Sequence, residues 1–107
     1  MTNWQRIDIY ISYPQGLGVD EAINEAGVVL SRHQIGGYSI IPISGAWDGV
    51  PERSLLIRQF TDNPDADCRT LKLAAQDLIW AWNQDSALVN VESANVDFIL
   101  NFRKGTY

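Results

Sequence analysis

Ile7-Asp8-Ile9-Tyr10-Ile11-Ser12-Tyr13 decides the fold of this chain, together with the change of period that follows it. Ile7, Ile9, Ile11 and Tyr13 alternate with Asp8, Tyr10 and Ser12, the period-two pattern of a strand with one face on a core. Pro14-Gln15-Gly16-Leu17-Gly18 ends the pattern, and from Val19 the apolar residues Ala22, Ile23, Ala26 and Leu30 recur at intervals of three and four. Asp20, Glu21 and Glu25 stand early in this second pattern, where a helix dipole favours acids. The reading is a strand followed by a helix over about 19–33, stopped by Gly36-Gly37.

Working outward, Tyr38 to Ser44 and Ser54 to Phe60 read as two more strands. They are joined across a turn-rich stretch, Gly45 to Glu52, as a hairpin with a longer loop. Thr61-Asp62-Asn63-Pro64-Asp65 ends the third strand, and Leu71, Ala74, Ala75, Leu78 and Trp82 give a second helix, about 67–84, one apolar face. Leu88 to Phe102 alternates again in two sets separated by Ser93-Ala94-Asn95, which predicts a long bulged strand or two short ones. The order strand, helix, strand, strand, helix, strand predicts a single α+β domain over residues 1–107. It is of the ferredoxin-like βαββαβ type, a four-stranded antiparallel sheet with two helices on one face.

A chain of 107 residues has room for one core, and its 46% hydrophobic and 20% charged residues are ordinary globular usage. The formal charge of −5 gives no broad footprint for nucleic acid, so an anionic ligand would need a local basic pocket. No apolar run approaches the roughly 20 residues that span a bilayer, and no secretory signal layout is visible, which predicts a cytoplasmic protein without a membrane partner. One cysteine, Cys68, and one histidine, His33, exclude a disulfide framework and leave neither a conventional zinc site nor a cofactor motif to expect. The sheet face away from the helices poses a problem, because both parities of strands two and three are apolar. Tyr10, Ile41 or Ile40, Leu56 and Phe60 would form a patch there, and a homo-oligomer through that uncovered face is the expected remedy.

Gly45-Ala46-Trp47-Asp48-Gly49-Val50-Pro51-Glu52-Arg53-Ser54, read as G-x-W-x-G-x-x-E-x-S, resembles a hairpin in small, largely uncharacterised ferredoxin-like proteins of bacteria and their phages. Asn83 to Val89 and Val96 to Ile99 are similar to the end of those proteins. The resemblance implies a ferredoxin-like fold and phage ancestry, with the host cytoplasm as the place of action. It carries over no catalytic residue.

Trp47, set between turn glycines, offers a flat stacking surface for a planar ligand, with Arg53 and Arg58 on the next strand as phosphate donors and Tyr10 and Tyr13 on the first. That grouping predicts a non-enzymatic oligomer binding a small anionic molecule. The ligand would be a nucleotide-type signal sequestered in phage counter-defence, with no catalytic residue, metal or nucleic acid involved. The alternative is an acidic protein that inhibits a host factor by surface contact. A further alternative is a small dimeric ferredoxin-like enzyme using His33 as acid or base. A Cys68–His33 dyad is disfavoured because the topology sets the two at opposite ends of the helix layer. Gly16-Leu17-Gly18 lacks the third glycine and the lysine of a phosphate loop and reads as a turn. Trp80 and Trp82 stand about 200° apart on a helix, so Trp82 is expected in the core, and Trp80 exposed or, like Trp4, in a subunit contact.

Overall fold

The computed structural model describes residues 4–99. Six elements follow one another: β1 (Gln5–Ser12), α1 (Val19–Arg32), β2 (Tyr38–Trp47), β3 (Val50–Thr61), α2 (Pro64–Ala81) and β4 (Leu88–Ser93). The strands form one antiparallel sheet in the order β2-β3-β1-β4, with both helices on one face, which is the ferredoxin-like α+β arrangement.

The alternation of β1 sets the core. Ile7, Ile9 and Ile11 point to the helices beside Leu55 and Ile57 of β3, and all five are buried. They meet Ala22, Ala26 and Leu30 of α1 and Leu71, Ala74 and Leu78 of α2. The alanines bring the helices close to the sheet, while the leucines and isoleucines supply about 2 kcal/mol each from burial. Trp82 seals one end, edge-on to Tyr13 at 6.3 Å, and its Nε1 donates to Glu25 Oε1 at 3.4 Å. Trp80 is 85% exposed, as the 200° offset requires.

Both helices close by the same device. After α1, Gln34 (φ 58°) donates to Ser31 O and Ile35 donates to Leu30 O. After α2, Asn83 (φ 51°) donates to Trp80 O and Gln84 to Ile79 O. These pairs satisfy the last carbonyls of each helix in the Schellman manner. The left-handed residue after α1 is therefore Gln34, two positions ahead of the glycine pair taken as the stop.

Three other boundaries differ from the sequence reading. β2 and β3 are not joined by a long loop: their ladder runs out to Trp47↔Val50 and turns on Asp48 (φ 50°) and Gly49 (φ 77°). Positive φ at both central residues is the two-residue turn whose twist matches that of the flanking strands. α2 starts at Pro64, because proline at the first helical position has no amide to leave unpaired, with Asp65 and Asp67 behind it in the first turn. β4 ends at Ser93, opposite Gln5 where β1 begins; Ala94 N–H still donates to Trp4 O, but the described residues 94–99 are not in a strand. Leu100 to Phe102, the rest of the expected strand, lie outside the described residues.

Candidate functional site

The face of the sheet turned away from the helices carries two contrasting rows. Ile41, Leu56, Tyr10 and Leu88 stand opposite one another across all four strands as an apolar stripe; Phe60, expected in the same patch, is on this face but opposite Arg6, with the Asp8–Arg58 pair between it and the stripe. Ile41, and not Ile40, is the residue on this face; Ile40 packs on the core side. Leu88 is 64% and Phe60 48% exposed.

The next row is ionic. Asp8 is fully buried and accepts from Arg58 Nε at 2.8 Å and Arg58 Nη2 at 3.2 Å. Arg6 Nε lies 3.0 Å from the same carboxylate without hydrogen-bond alignment, and Arg6 Nη2 donates to Glu92 Oε2 at 2.9 Å. The hydrogen bond to Asp8 raises the Arg58 guanidinium above the usual arginine value, against the lowering effect of burial.

Above the apolar stripe lies a cleft of about 700 Å³ between the turn-side half of the β2–β3 hairpin and the segment after α2. Tyr10, Ile43 and Leu88 give it apolar walls, and Ser12 and Ser54, whose hydroxyls are 3.3 Å apart, lie on its floor. Glu52 from β3 and Asp85 from the post-α2 segment supply its charge; among the described residues lining it none is basic. The register places these side chains together, because Tyr10↔Leu56, Ser12↔Ser54, Ile43↔Ser54 and Gly45↔Glu52 are all on the face without helices.

The residues singled out in the sequence divide between the two sides of the sheet. Tyr10 lines the cleft. Arg58 shares its face but is engaged with Asp8. Tyr13 and Arg53 stand together on the other side: the Arg53 guanidinium lies 4.9 Å from the Tyr13 ring centroid and Nε donates to Tyr13 Oη at 3.3 Å. Arg53 also donates to the carbonyls of Gln15 and Leu17, at 3.2 and 2.9 Å, so it braces the turn through Gly16 that leads into α1. Trp47 ends β2 opposite Val50, and its side chain lies outside the described part of the structure. His33 Nε2 is 2.6 Å from Asp77 Oδ2. Asp77 is about 13 Å along α2 from Cys68 at 1.5 Å per residue, so the dyad does not assemble.

Sequence reasoning missed Glu52, Asp85 and the serine pair. The signal for the first and last was Asp48-Gly49: read as a two-residue turn, it extends β3 back to Val50 and puts Glu52 and Ser54 in phase with Leu56. Asp85 lies outside any periodic element, and no pattern pointed to it.

Among the described residues no helix is long and apolar enough to cross a membrane, and no group of three or more His, Cys, Asp or Glu is placed to hold a metal ion. No family model and no curated protein sequence matches the chain. Solved structures do. A phage SAM lyase in its apo state superposes with a TM-score of 0.71 at 14% identity, over 87% of this chain and 82% of the other. CPII, a nitrogen regulatory PII-like protein from Thiomonas intermedia bound to ADP, AMP and bicarbonate, gives 0.56 at 19% identity, over 91% and 96%. CutA from Synechococcus elongatus gives 0.54 at 14% identity, over 88% and 82%. At these identities the likeness is one of fold: the chain shares the α+β ferredoxin-like arrangement of these proteins.

Proposed function

We propose that this chain is an oligomeric small-molecule-binding protein whose ligand carries a nucleoside and occupies the cleft beside the turn-side half of the β2–β3 hairpin. The observation that carries the reading is the composition of that cleft, an aromatic and aliphatic wall facing hydroxyl and carboxylate groups in one concavity. Two of the structures sharing the fold have names that supply a common chemistry, since SAM, ADP and AMP all contain adenosine. Tyr10 offers the ring for stacking, and Glu52 or Asp85 can accept from ribose hydroxyls or an exocyclic amine.

Charge then selects among such ligands. Two carboxylates without a lining base repel phosphate and attract a cation, which favours a sulfonium nucleoside such as S-adenosylmethionine over a nucleotide. Arg53 and Arg58, the donors expected for phosphate, are engaged elsewhere. The second copy enters through the apolar stripe, because Tyr10 and Leu88 belong both to the stripe and to the cleft wall. A copy packed on that face would close the cleft as it buries Leu88, Ile41 and Phe60.

The test is thermal stabilisation by S-adenosylmethionine, ADP and AMP, side by side with Glu52→Gln. A ligand at a hundredfold its Kd stabilises by about 2.7 kcal/mol, on the order of ten degrees in Tm for a chain this size. Stabilisation by the sulfonium compound that falls in Glu52→Gln supports the reading. Stabilisation by ADP alone moves it to sequestration of a nucleotide-type signal, the counter-defence role; no stabilisation by any of the three overturns it.

Turnover is a second reading, favoured by one chemical fact. In S-adenosylmethionine the substrate's own carboxylate can bond to its γ-carbon as the carbon–sulfur bond breaks, giving a lactone and the neutral thioether methylthioadenosine, so cleavage needs a positioned substrate and no protein nucleophile, which suits a cleft lined by hydroxyls and carboxylates. Mass spectrometry of S-adenosylmethionine incubated with the protein separates binding from cleavage by the appearance of methylthioadenosine.

A further inference from the structure

β4 stops at Ser93, but the strand pattern does not. Val96, Phe98, Leu100 and Phe102 alternate with Asp97, Ile99, Asn101 and Arg103, the period-two signature of a further strand. In the structure the start of this segment is tied down once, by Ala94 N–H donating to Trp4 O at 3.0 Å. Phe98 rests edge-on against Trp4 at 5.9 Å and its amide donates to Asp97 Oδ1, yet Phe98 is 65% exposed and Ile99 is wholly exposed. A strand-patterned segment with bare apolar side chains lacks a sheet edge to join.

The sheet has such an edge at its opposite side. β2 is an outer strand, and between it and α1 runs a groove of about 870 Å³ whose apolar lining is Ile23, Val28, Tyr38 and Ile40. Gly27 keeps the groove wide, the nearest atom to a Cβ there being Tyr38 Oη at 3.7 Å. Pro42 offers no amide, so an added strand finds its backbone partners on the Tyr38–Ile41 side of it, the part of β2 that borders the groove. Four residues of edge match the four of Val96 to Ile99. A segment leaving at β4 lies on the far edge from its own β2, so the partner edge belongs to another copy.

We infer that the segment Val96–Ile99 of one copy adds as a strand to the β2 edge of the next, seating Val96 and Phe98 in the α1–β2 groove. The contact is head-to-tail, with different surfaces on the two sides, and such contacts close into a ring when the rotation permits. The inference rests on the oligomeric reading above and adds to it the surface that links successive copies; the open face packs toward the interior and the strand exchange fastens the rim.

Phe98 is 65% exposed and shares its parity with Val96, so replacing it with the photoreactive residue benzoylphenylalanine leaves the core untouched and aims the probe at the groove. The full-length variant is prepared with natural and with 15N isotope content, mixed, irradiated and digested. Cross-links between light and heavy peptides joining position 98 to the Gly27–Arg32 or Tyr38–Ile40 regions support the inference, and Val28→Glu in the accepting copy should reduce them at least tenfold. A second variant carries the probe at Ile99, on the opposite parity, where cross-links to Gly27–Arg32 should fall at least tenfold below those from position 98. Cross-links from position 98 confined to one chain, or joining it to Tyr10, Leu56 or Leu88 of another copy, overturn the strand exchange and leave the face-to-face oligomer standing. A wild-type chain that is monomeric by light scattering overturns both.

Discussion

Asp8 is where the open face departs most from a plain apolar surface. A carboxylate with no exposure must be compensated, and Arg58 does this with two hydrogen bonds while Arg6 contributes a nearby charge without alignment. Removing the carboxylate leaves two arginines facing each other, so Asp8→Ala is expected to cost about 3 kcal/mol in urea unfolding. Arg6→Ala should cost below about 1 kcal/mol, because Arg6 is partly exposed and its Nε makes no aligned bond. Equal losses in the two variants would contradict this division. The raised Arg58 pKa adds its stability below the ordinary arginine value and loses it only as pH climbs through the raised one. On the arginine side the network therefore holds its charge across the neutral range. The sequence showed Asp8 as a polar residue in an alternating strand, and its burial was invisible there because the arginines that permit it come from β3 and from two residues upstream.

At the scale of elements, the hairpin turn and the helix ends are the points where single residues carry conformation. Gly49 has φ 77° and an open surrounding, so Gly49→Ala pays no clash but meets the left-handed penalty of about 1 kcal/mol. Gly36 also has open surroundings but no positive φ, and Gly36→Ala is expected to change stability by less than about 0.5 kcal/mol. A matched pair of denaturation curves checks the contrast; similar costs at the two sites would refute the turn assignment. In the core, Leu78→Ala should cost about 3 kcal/mol or more, since the side chain is fully buried between α2 and the sheet.

The elements themselves were legible to different degrees. α1 was readable in its start and its buried face because its acids and its apolar spacing agree, whereas its left-handed stop falls on Gln34, a residue type that does not mark such a position, ahead of Gly36-Gly37. β2 and β3 read too short because Gly45, Pro51 and Glu52 look like loop residues, whereas at an exposed hairpin tip little selects for strand formers and the Asp-Gly turn alone sets the ladder. β4 read too long because the pattern of a strand does not state which edge receives it. The helix-free side of the cleft followed from the same register, so Tyr10 was found and Glu52 was not.

For the whole molecule, assembly and ligand binding both depend on what covers the face without helices. An ionic row and an apolar stripe side by side suit a partner of the same kind better than bulk water, and the stripe shares two residues with the cleft. Leu88→Glu together with Phe60→Glu is expected to separate the copies, as read by light scattering, with little loss of secondary structure, because both side chains are largely exposed within one chain. The same double variant should lose ligand stabilisation if the second copy closes the cleft. Persistence of the oligomer would remove the stripe from the interface.

The most direct test of the central claim is native mass spectrometry of the full-length protein with S-adenosylmethionine added. The expected result is a homo-oligomer carrying up to one ligand mass per subunit, with occupancy reduced at least tenfold by Tyr10→Ala and by Glu52→Gln. A monomer that gains no ligand mass, or occupancy that is unchanged in both variants, would contradict it.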